Sequence, residues 1–311
     1  MGGFDIKEKE AHTPVLTKEI VEWLRPVSTG CYVDCTLGPG GLAKVILEKS
    51  RPSGKLVAID QDRNALVLAK DTLEPYLERT KLLCGNFNDI KSLVGGCGVY
   101  ECHGIVFDLG ISSAQLADPI RGFSFLEEGP LDMRMAQTDG LTAADLLNTL
   151  SEIDLRSLIF QYGEERYARR IASLVVRTRH VSPLHTTQQL VDLIRQAVPA
   201  AYRHGRLHCA TRTFQALRIA VNQELHVLEG ALRDAATLLV PGGRLCVISF
   251  HSLEDRIVKH TFRSLAQGAS SLLTLLTKKP LMASMEERHV NQRARSAKLR
   301  VAERRELVQE A

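Results

Sequence analysis

Short apolar runs alternate with amphipathic stretches through the first third of this 311-residue chain. Segment 17–24, TKEIVEWL, sets Ile20, Val21 and Leu24 on one side of a helix. Apolar runs near 31–36, 55–60, 81–87 and 103–110 are short and glycine-flanked, the pattern of strands buried on both faces. Helical spacing fills 41–49, and again from 64 to about Pro75. The alternation stops near residue 114. From there to 224 the periods are helical: one long pattern over 156–179, a second over 186–198, and a third over 211–239 with room for a break. Strand logic resumes with VPGGRLCVISFH at 240–251, and two last strand candidates lie at 271–277 and 296–303. Segment 278–292 carries no clear period and reads as the loosest connection.

The first strand ends in a glycine-rich turn. Within YVDCTLGPGGLAK (32–44), Gly38, Gly40 and Gly41 allow a sharp backbone turn with no side chain between it and a ligand. The second strand, KLVAID, closes on Asp60, where an acid accepts hydrogen bonds from a ribose diol. The loop reads GxGG, not GxGxxG, and no Lys-Ser/Thr pair follows, so a phosphate cradle is not expected. An adenosine ligand without phosphates fits better, and S-adenosylmethionine is the obvious one. The simplest assembly is an α/β doubly wound sheet of seven strands ending in a hairpin-like pair. That is the class I, Rossmann-like S-adenosylmethionine-dependent methyltransferase sheet. Its core spans 1–113 and 226–311, around a helical insertion of 114–225 for substrate recognition. A nicotinamide-dependent dehydrogenase is disfavoured by the same loop and by the lack of a second dinucleotide half.

Composition narrows the setting. Hydrophobic content of 44% and charged content of 24% are ordinary for a globular chain, and no apolar run nears the ~20 residues that span a bilayer. No membrane partner is expected, and the polar start MGGFDIKEKE is not a secretory signal. The seven cysteines are odd in number and match no zinc spacing, which points to reduced thiols in a cytoplasmic protein with no metal site. The net charge of +4 is unevenly spread: between 156 and 224 there are eleven arginines, no lysines and four acids. Residues 288–305 add six arginines and Lys298 against Glu303. Concentrated arginine suits a polyphosphate backbone; a solvated, salt-bridged helical face is the plainer alternative.

Six long segments, in order, carry a resemblance. They are DLGISSAQL (108–116), RGFSF (121–125), GPLDMRM (129–135), YGEER (162–166), ATRTFQALRIAVNQEL (210–225) and PGGRLCVISFHSLEDRIVK (241–259). With these, the chain resembles the RsmH (MraW) family, the 16S rRNA (cytosine-N(4))-methyltransferases, from HTPVL at 12–16 to RSAKLRVAE at 295–303. The resemblance implies cofactor contacts at Gly40, Gly41, Leu42, Asp60, Phe87, Asp108 and Gln115. It also implies 16S rRNA in the decoding region of the small ribosomal subunit as the partner. The chain departs from the family pattern at three places: Leu42-Ala43 stand for His-Ser, Ala136 for Asp, and Gln292 for Pro.

Methylating an exocyclic amine needs a splayed-out base and an acceptor for an amine hydrogen. Asp108, at the end of the fourth strand, is the candidate catalytic acceptor, or else an organiser of the cofactor; the carbonyls of 110–113 are its rivals. His251 and Ser252 either touch the target base or cap a helix starting near Leu253. Arg212 and Arg218 are candidate phosphate contacts, with exposed salt bridges as the alternative. Arg121, Asp132 and Arg134 sit in a loop that either closes over the site or forms structural ion pairs. His12 reads as a packed or capping residue. A catalytically weak RNA-binding protein that keeps the fold is the rival function, hinted at only by Leu42. A homodimer is compatible with the sequence, although no residue requires one.

Overall fold

The computed structural model describes residues 14–138, 140–268 and 271–306; His12 and the first ten residues lie outside them. The first part of the chain runs α1 (Thr17–Leu24), β1 (Cys31–Asp34), α2 (Gly41–Lys49), β2 (Lys55–Asp60), α3 (Arg63–Leu73), β3 (Thr80–Cys84), α4 (Ile90–Gly95), β4 (Cys102–Asp108) and α5 (Ser113–Ala117). Helices α6 (Ala143–Thr149), α7 (Glu152–Gly163), α8 (Ala168–Arg179), α9 (Thr187–Ala197), α10 (Ala200–Arg203), α11 (Thr211–Asn222) and α12 (Glu224–Thr237) follow. The chain then returns to the sheet with β5 (Leu239–Ser249), α13 (Ser252–Leu265), β6 (Leu273–Leu275), β7 (Leu281–Met282), α14 (Met285–Val290) and β8 (Lys298–Arg304).

The strands join in the order β3-β2-β1-β4-β5-β8-β6, with β7 added beside β8. The pairs from β3 to β5 are parallel, and β8 runs antiparallel to β5 and β6. This is the expected class I sheet with an eighth, two-residue strand. The strands bury both faces because successive side chains enter opposite cores. On β4, Val106 joins the side covered by α1, α2 and α3, whereas Ile105 and Phe107 join the side covered by α4, α12 and α13. A third apolar cluster, including Met133, Leu155, Ile171, Ile194 and Phe214, belongs to the helices between β4 and β5 and the loop that leads into them.

Two expectations need correcting and one is met. The helical pattern over 156–179 is two helices: Gly163 passes so close to the Arg212 carbonyl that a Cβ would lie 2.6 Å from its oxygen. Glu164 then turns left-handed at φ 49°. The buried Glu165 carboxylate holds that turn, accepting from the Tyr167 amide at 2.8 Å and the Tyr202 hydroxyl at 2.7 Å. The pattern over 211–239 does break, as its period allowed, at Gln223, also left-handed. Segment 278–292 is ordered into β7 and α14.

The loop after α5 is fastened to the sheet through a buried network. Asp62 caps α3 by accepting from the Asn64 amide, and its other oxygen accepts from Arg121 Nη1 at 2.6 Å and Gln115 Nε2 at 2.8 Å. Arg121 also donates to the carbonyls of Arg134 and Met135, while Asp132 and Arg134 pair with each other. These three charged residues therefore make structural ion pairs. Removing one partner of a buried pair leaves an uncompensated charge at a cost of about 3–5 kcal/mol. Arg121→Met should lower the unfolding free energy by about 3 kcal/mol, read as a lower urea midpoint at unchanged slope; a loss under about 1 kcal/mol would show the pair to be dispensable.

Candidate active site

The carboxyl ends of β1, β2 and β4 deliver Asp34, Asp60 and Asp108 to one edge of the sheet, where a deep cleft opens. One wall is the turn after β1. Gly38 adopts φ 52° and its amide donates to Asp60 Oδ2 at 2.8 Å; the Asp62 amide donates to Oδ1 at 2.8 Å. Each oxygen of Asp60 thus holds one backbone bond and keeps a lone pair for a ligand hydroxyl. Gly41, Leu42 and Phe87 line the same space, with Phe87 edge-on to Phe107 at 5.5 Å. Gly40 does not line the cleft. It caps α2 at φ 86° and backs onto α3, where a Cβ would sit 3.3 Å from Ala69 and Leu73. Gln115 lines the cleft, but its amide is committed to the Ser112 amide and to Asp62. Leu42 and Ala43 are buried in the apolar core, so neither offers a polar side chain.

Asp108 stands at the centre. Its amide donates to Thr36 Oγ1 at 2.6 Å, and its Oδ1 is buried with no hydrogen-bond partner among the described residues. Burial pushes its carboxyl up to about 6, against the pull of the Arg293 charge and with a push from Glu254. Burial likewise lifts Asp60 to about 6 and Asp34, just behind the wall, to about 7, where Asp108 and Asp60 add repulsion. An orphaned carboxylate oxygen and two half-satisfied ones in a cleft fit a cationic ligand that carries a diol.

The opposite wall comes from α11, α12 and the start of α13. Arg218 makes a two-point ion pair with Glu224, both bonds 2.9 Å, and its side chain is only 15% exposed. Expected as a phosphate contact or an exposed salt bridge, it is instead held against Glu224, which follows the left-handed turn at Gln223 and lines the cleft. His251 caps α13: Nδ1 accepts from the Glu254 amide at 3.4 Å, and Nε2 lies 3.2 Å from Glu254 Oε1, poorly aligned. Ser252 donates to Glu164 Oε2 at 2.9 Å, and Arg212 donates to the Glu164 carbonyl at 3.0 Å. His251 and Ser252 thus cap and brace α13, and Arg212 braces the turn after α7. Although burial raises Glu254, the adjacent His251 side chain, the Arg218 charge and the Phe250 amide bring its carboxyl below the usual range. Glu224, His251 and Glu254 bring ligand atoms within 4.8 Å of one another, a spacing that suits a metal ion. Arg218 already supplies the positive charge there, so the arrangement does not call for one.

Several cleft residues escaped the sequence reading. Arg293 reaches from the far end of the chain, donating to the Ile111 carbonyl at 2.9 Å and Ser113 Oγ at 3.2 Å and stacking on Phe250 at 5.4 Å. Asn222 accepts from the Met135 amide at 2.7 Å and donates to the Met133 carbonyl at 2.8 Å, fixing the LDMRM loop at the cleft mouth. The signal for both was their place inside long family segments, or beside one; nothing in periodicity marks them.

The sequence model of the MraW methylase family matches residues 9–305. The Ribosomal RNA small subunit methyltransferase H of Geotalea uraniireducens (strain Rf4) is 49% identical over 306 residues, covering 94% of this chain and 98% of that protein. The protein of the same name from Pelobacter propionicus is 48% identical over 307 residues, with 94% and 98% covered. That of Cyanothece sp. (strain PCC 7425) is 49% identical over 300 residues, with 96% and 97% covered. No helix among the described residues is long and apolar enough to cross a membrane.

The raised carboxyls make ligand binding pH-dependent. Each lies above its unfolded value, so its contribution to stability is present below about pH 4 and is lost as pH rises through about 6 to 7. A cation in the cleft favours the ionised forms and expels protons. S-adenosylmethionine affinity should therefore climb between about pH 5 and pH 7.5, with net proton release in calorimetry across buffers of different ionisation enthalpy. S-adenosylhomocysteine, which lacks the sulfonium charge, should show a shallower dependence; equal slopes would contradict the charge argument.

Proposed function

The chain belongs to the MraW methylase family, and from that premise we propose that it transfers a methyl group from S-adenosylmethionine to the exocyclic N(4) amine of a cytidine in 16S rRNA of the small ribosomal subunit. The observation that carries the reading is Asp108: a buried carboxylate with one unpartnered oxygen, between the Asp60 wall and the Arg218–Glu224 wall. The relatives' shared name points to small-subunit ribosomal RNA as the acceptor. In this reading Asp60 takes the ribose hydroxyls, Phe87 walls the adenine, and the backbone of 38–41 approaches the ligand closely. Gly40 shapes that loop from behind, and Gln115 holds it through Asp62. Leu42 contributes only packing, so the absence of the family's histidine leaves the backbone cradle intact.

S-adenosylmethionine supplies a methyl carbon on a positively charged sulfur that departs as a neutral thioether when a nucleophile attacks in line. The chain's task lies with the acceptor. The amine lone pair of cytosine is delocalised into its ring, so the base must first leave its stack. Asp108, ionised above about pH 6, accepts one amine hydrogen as the nitrogen turns toward the methyl carbon. It takes that proton when the new bond forms and returns it to solvent. Arg293, tied to 111 and 113, keeps Asp108 toward its ionised form. The acceptor in this reading is the assembled small subunit, and the setting is the cytoplasm, with the cysteines reduced. A homodimer adds nothing to it, since every group named comes from one chain.

Asp108→Asn keeps the shape and removes the proton acceptor. Its kcat on small subunits should fall by about 10²–10³-fold, while its S-adenosylmethionine Kd changes less than about tenfold. The wild-type kcat/KM should decline below about pH 6. A variant within a few-fold of wild type would remove Asp108 from the chemistry.

A further inference from the structure

The helices between β4 and β5 carry a charged face that no part of the cleft uses. Ahead of α8 stands Arg166, and Arg169, Arg170 and Arg177 follow at helical spacing; Arg156 on α7 completes the set, and all five are exposed. None has a carboxylate ion-pair partner among the described residues. Two hollows adjoin along this face and share Arg169: one between α7 and the start of α8, the other between α8 and α9. The acids of α7 are confined to its first turn and line neither hollow, and Asp154 is engaged by Ser151.

Two features show that this face is not an ordinary solvated helix. Arg169 and Arg170 occupy the first turn of α8, which has no acidic residue. There the free amides already present positive charge, and an acid is the stabilising choice. Arg166 is held rather than loose, its guanidinium stacked on Tyr167 at 5.0 Å and Tyr202 at 4.7 Å. Phe160, 61% exposed, lines the first hollow together with Arg156 and Arg166. The face also begins at the cleft rim: the turn that precedes Arg166 holds Glu164, which is bonded to Ser252 and Arg256 on α13.

We propose that this face is a second binding site, for a single-stranded RNA segment flanking the target nucleotide. The arginines take successive phosphates, and Phe160 stacks one base. Guanidinium forks match phosphate oxygens, and an exposed ring beside them is the signature of single-strand binding rather than of an acidic protein surface. The inference rests on the proposed RNA acceptor and extends it beyond the cleft.

The test compares wild type with the triple variant Arg169→Gln/Arg170→Gln/Arg177→Gln, with Phe160→Ala, and with Arg233→Gln on α12 as a control outside the face. A labelled single-stranded oligonucleotide is titrated over a range of salt, and S-adenosylmethionine binding reports on folding. The triple variant should bind RNA at least about tenfold more weakly, and its slope of log K against log salt should shrink by about two. Phe160→Ala should weaken RNA binding about five- to tenfold with the slope unchanged. Cofactor affinity should stay as in wild type for all variants. Unchanged RNA affinity and slope in the triple variant, an equal loss in Arg233→Gln, or competition by polyglutamate as effective as RNA would overturn the proposal. A wild type that binds RNA through this face but methylates no cytidine would leave the face standing and remove the proposed reaction. A wild type that methylates small subunits, with the triple variant's KM unchanged, would do the reverse.

Discussion

Three carboxylates buried at the ends of neighbouring parallel strands are the constraint around which this molecule is arranged. Asp34, Asp60 and Asp108 end β1, β2 and β4, and the geometry of a parallel sheet brings them to a single edge. Burial raises all three, with added repulsion on Asp34 from Asp108 and Asp60, on Asp60 from Asp62 and on Asp108 from Glu254. Such groups persist only where surrounding dipoles and charges hold them. The amides of Gly38 and Asp62 serve Asp60, the Thr36 amide serves Asp34, and Arg293 stands off Asp108. What remains uncompensated is an electrostatic preference for a cation in the cleft. That preference links the fold to the proposed methyl donor more directly than the glycine turn does, since a turn of this kind admits many ligands.

The helical part of the chain is built into the same edge. Asn222 fixes the loop at 133–135, Arg218 and Glu224 form the far wall, and the Glu164 turn is bonded to the first turn of α13. Each of these contacts lies where a helix breaks: at Gly163–Glu164, or at Gln223. The breaks are therefore the points at which helices between β4 and β5 meet the sheet. A cleft with one wall from the sheet and one from the helices suits a reaction in which donor and acceptor arrive separately. In the proposed reaction the donor lies on the sheet side, and the base enters from the helical side.

Much of this was legible in the sequence because it rests on local signals. Short apolar runs marked the central strands to within a few residues, and a lone acid at the end of a run identified Asp60 and Asp108. The loss of strand signal after 114 marked the helices. What was not legible depends on contacts between distant residues. The break at Gly163 exists because its backbone meets the carbonyl of Arg212, and helical periodicity runs straight through it. Arg218 looked like a surface cation because its partner, Glu224, lies beyond a left-handed turn whose place and direction the pattern does not give. Arg293 joins the cleft from 185 residues beyond Asp108, just past the segment 278–292 that reads as loose. Asp34 carried the same strand-end signal as the other two and was passed over, since the glycines beside it explained the motif without it.

The most direct test of the account is a transfer assay with labelled S-adenosylmethionine on unmodified small subunits, large subunits and naked ribosomal RNA, followed by nucleoside mass spectrometry. The account predicts N(4)-methylcytidine in 16S rRNA, formed with small subunits and not with large ones. Cofactor binding without transfer to any of the three, or a methyl group on a different atom, would contradict it.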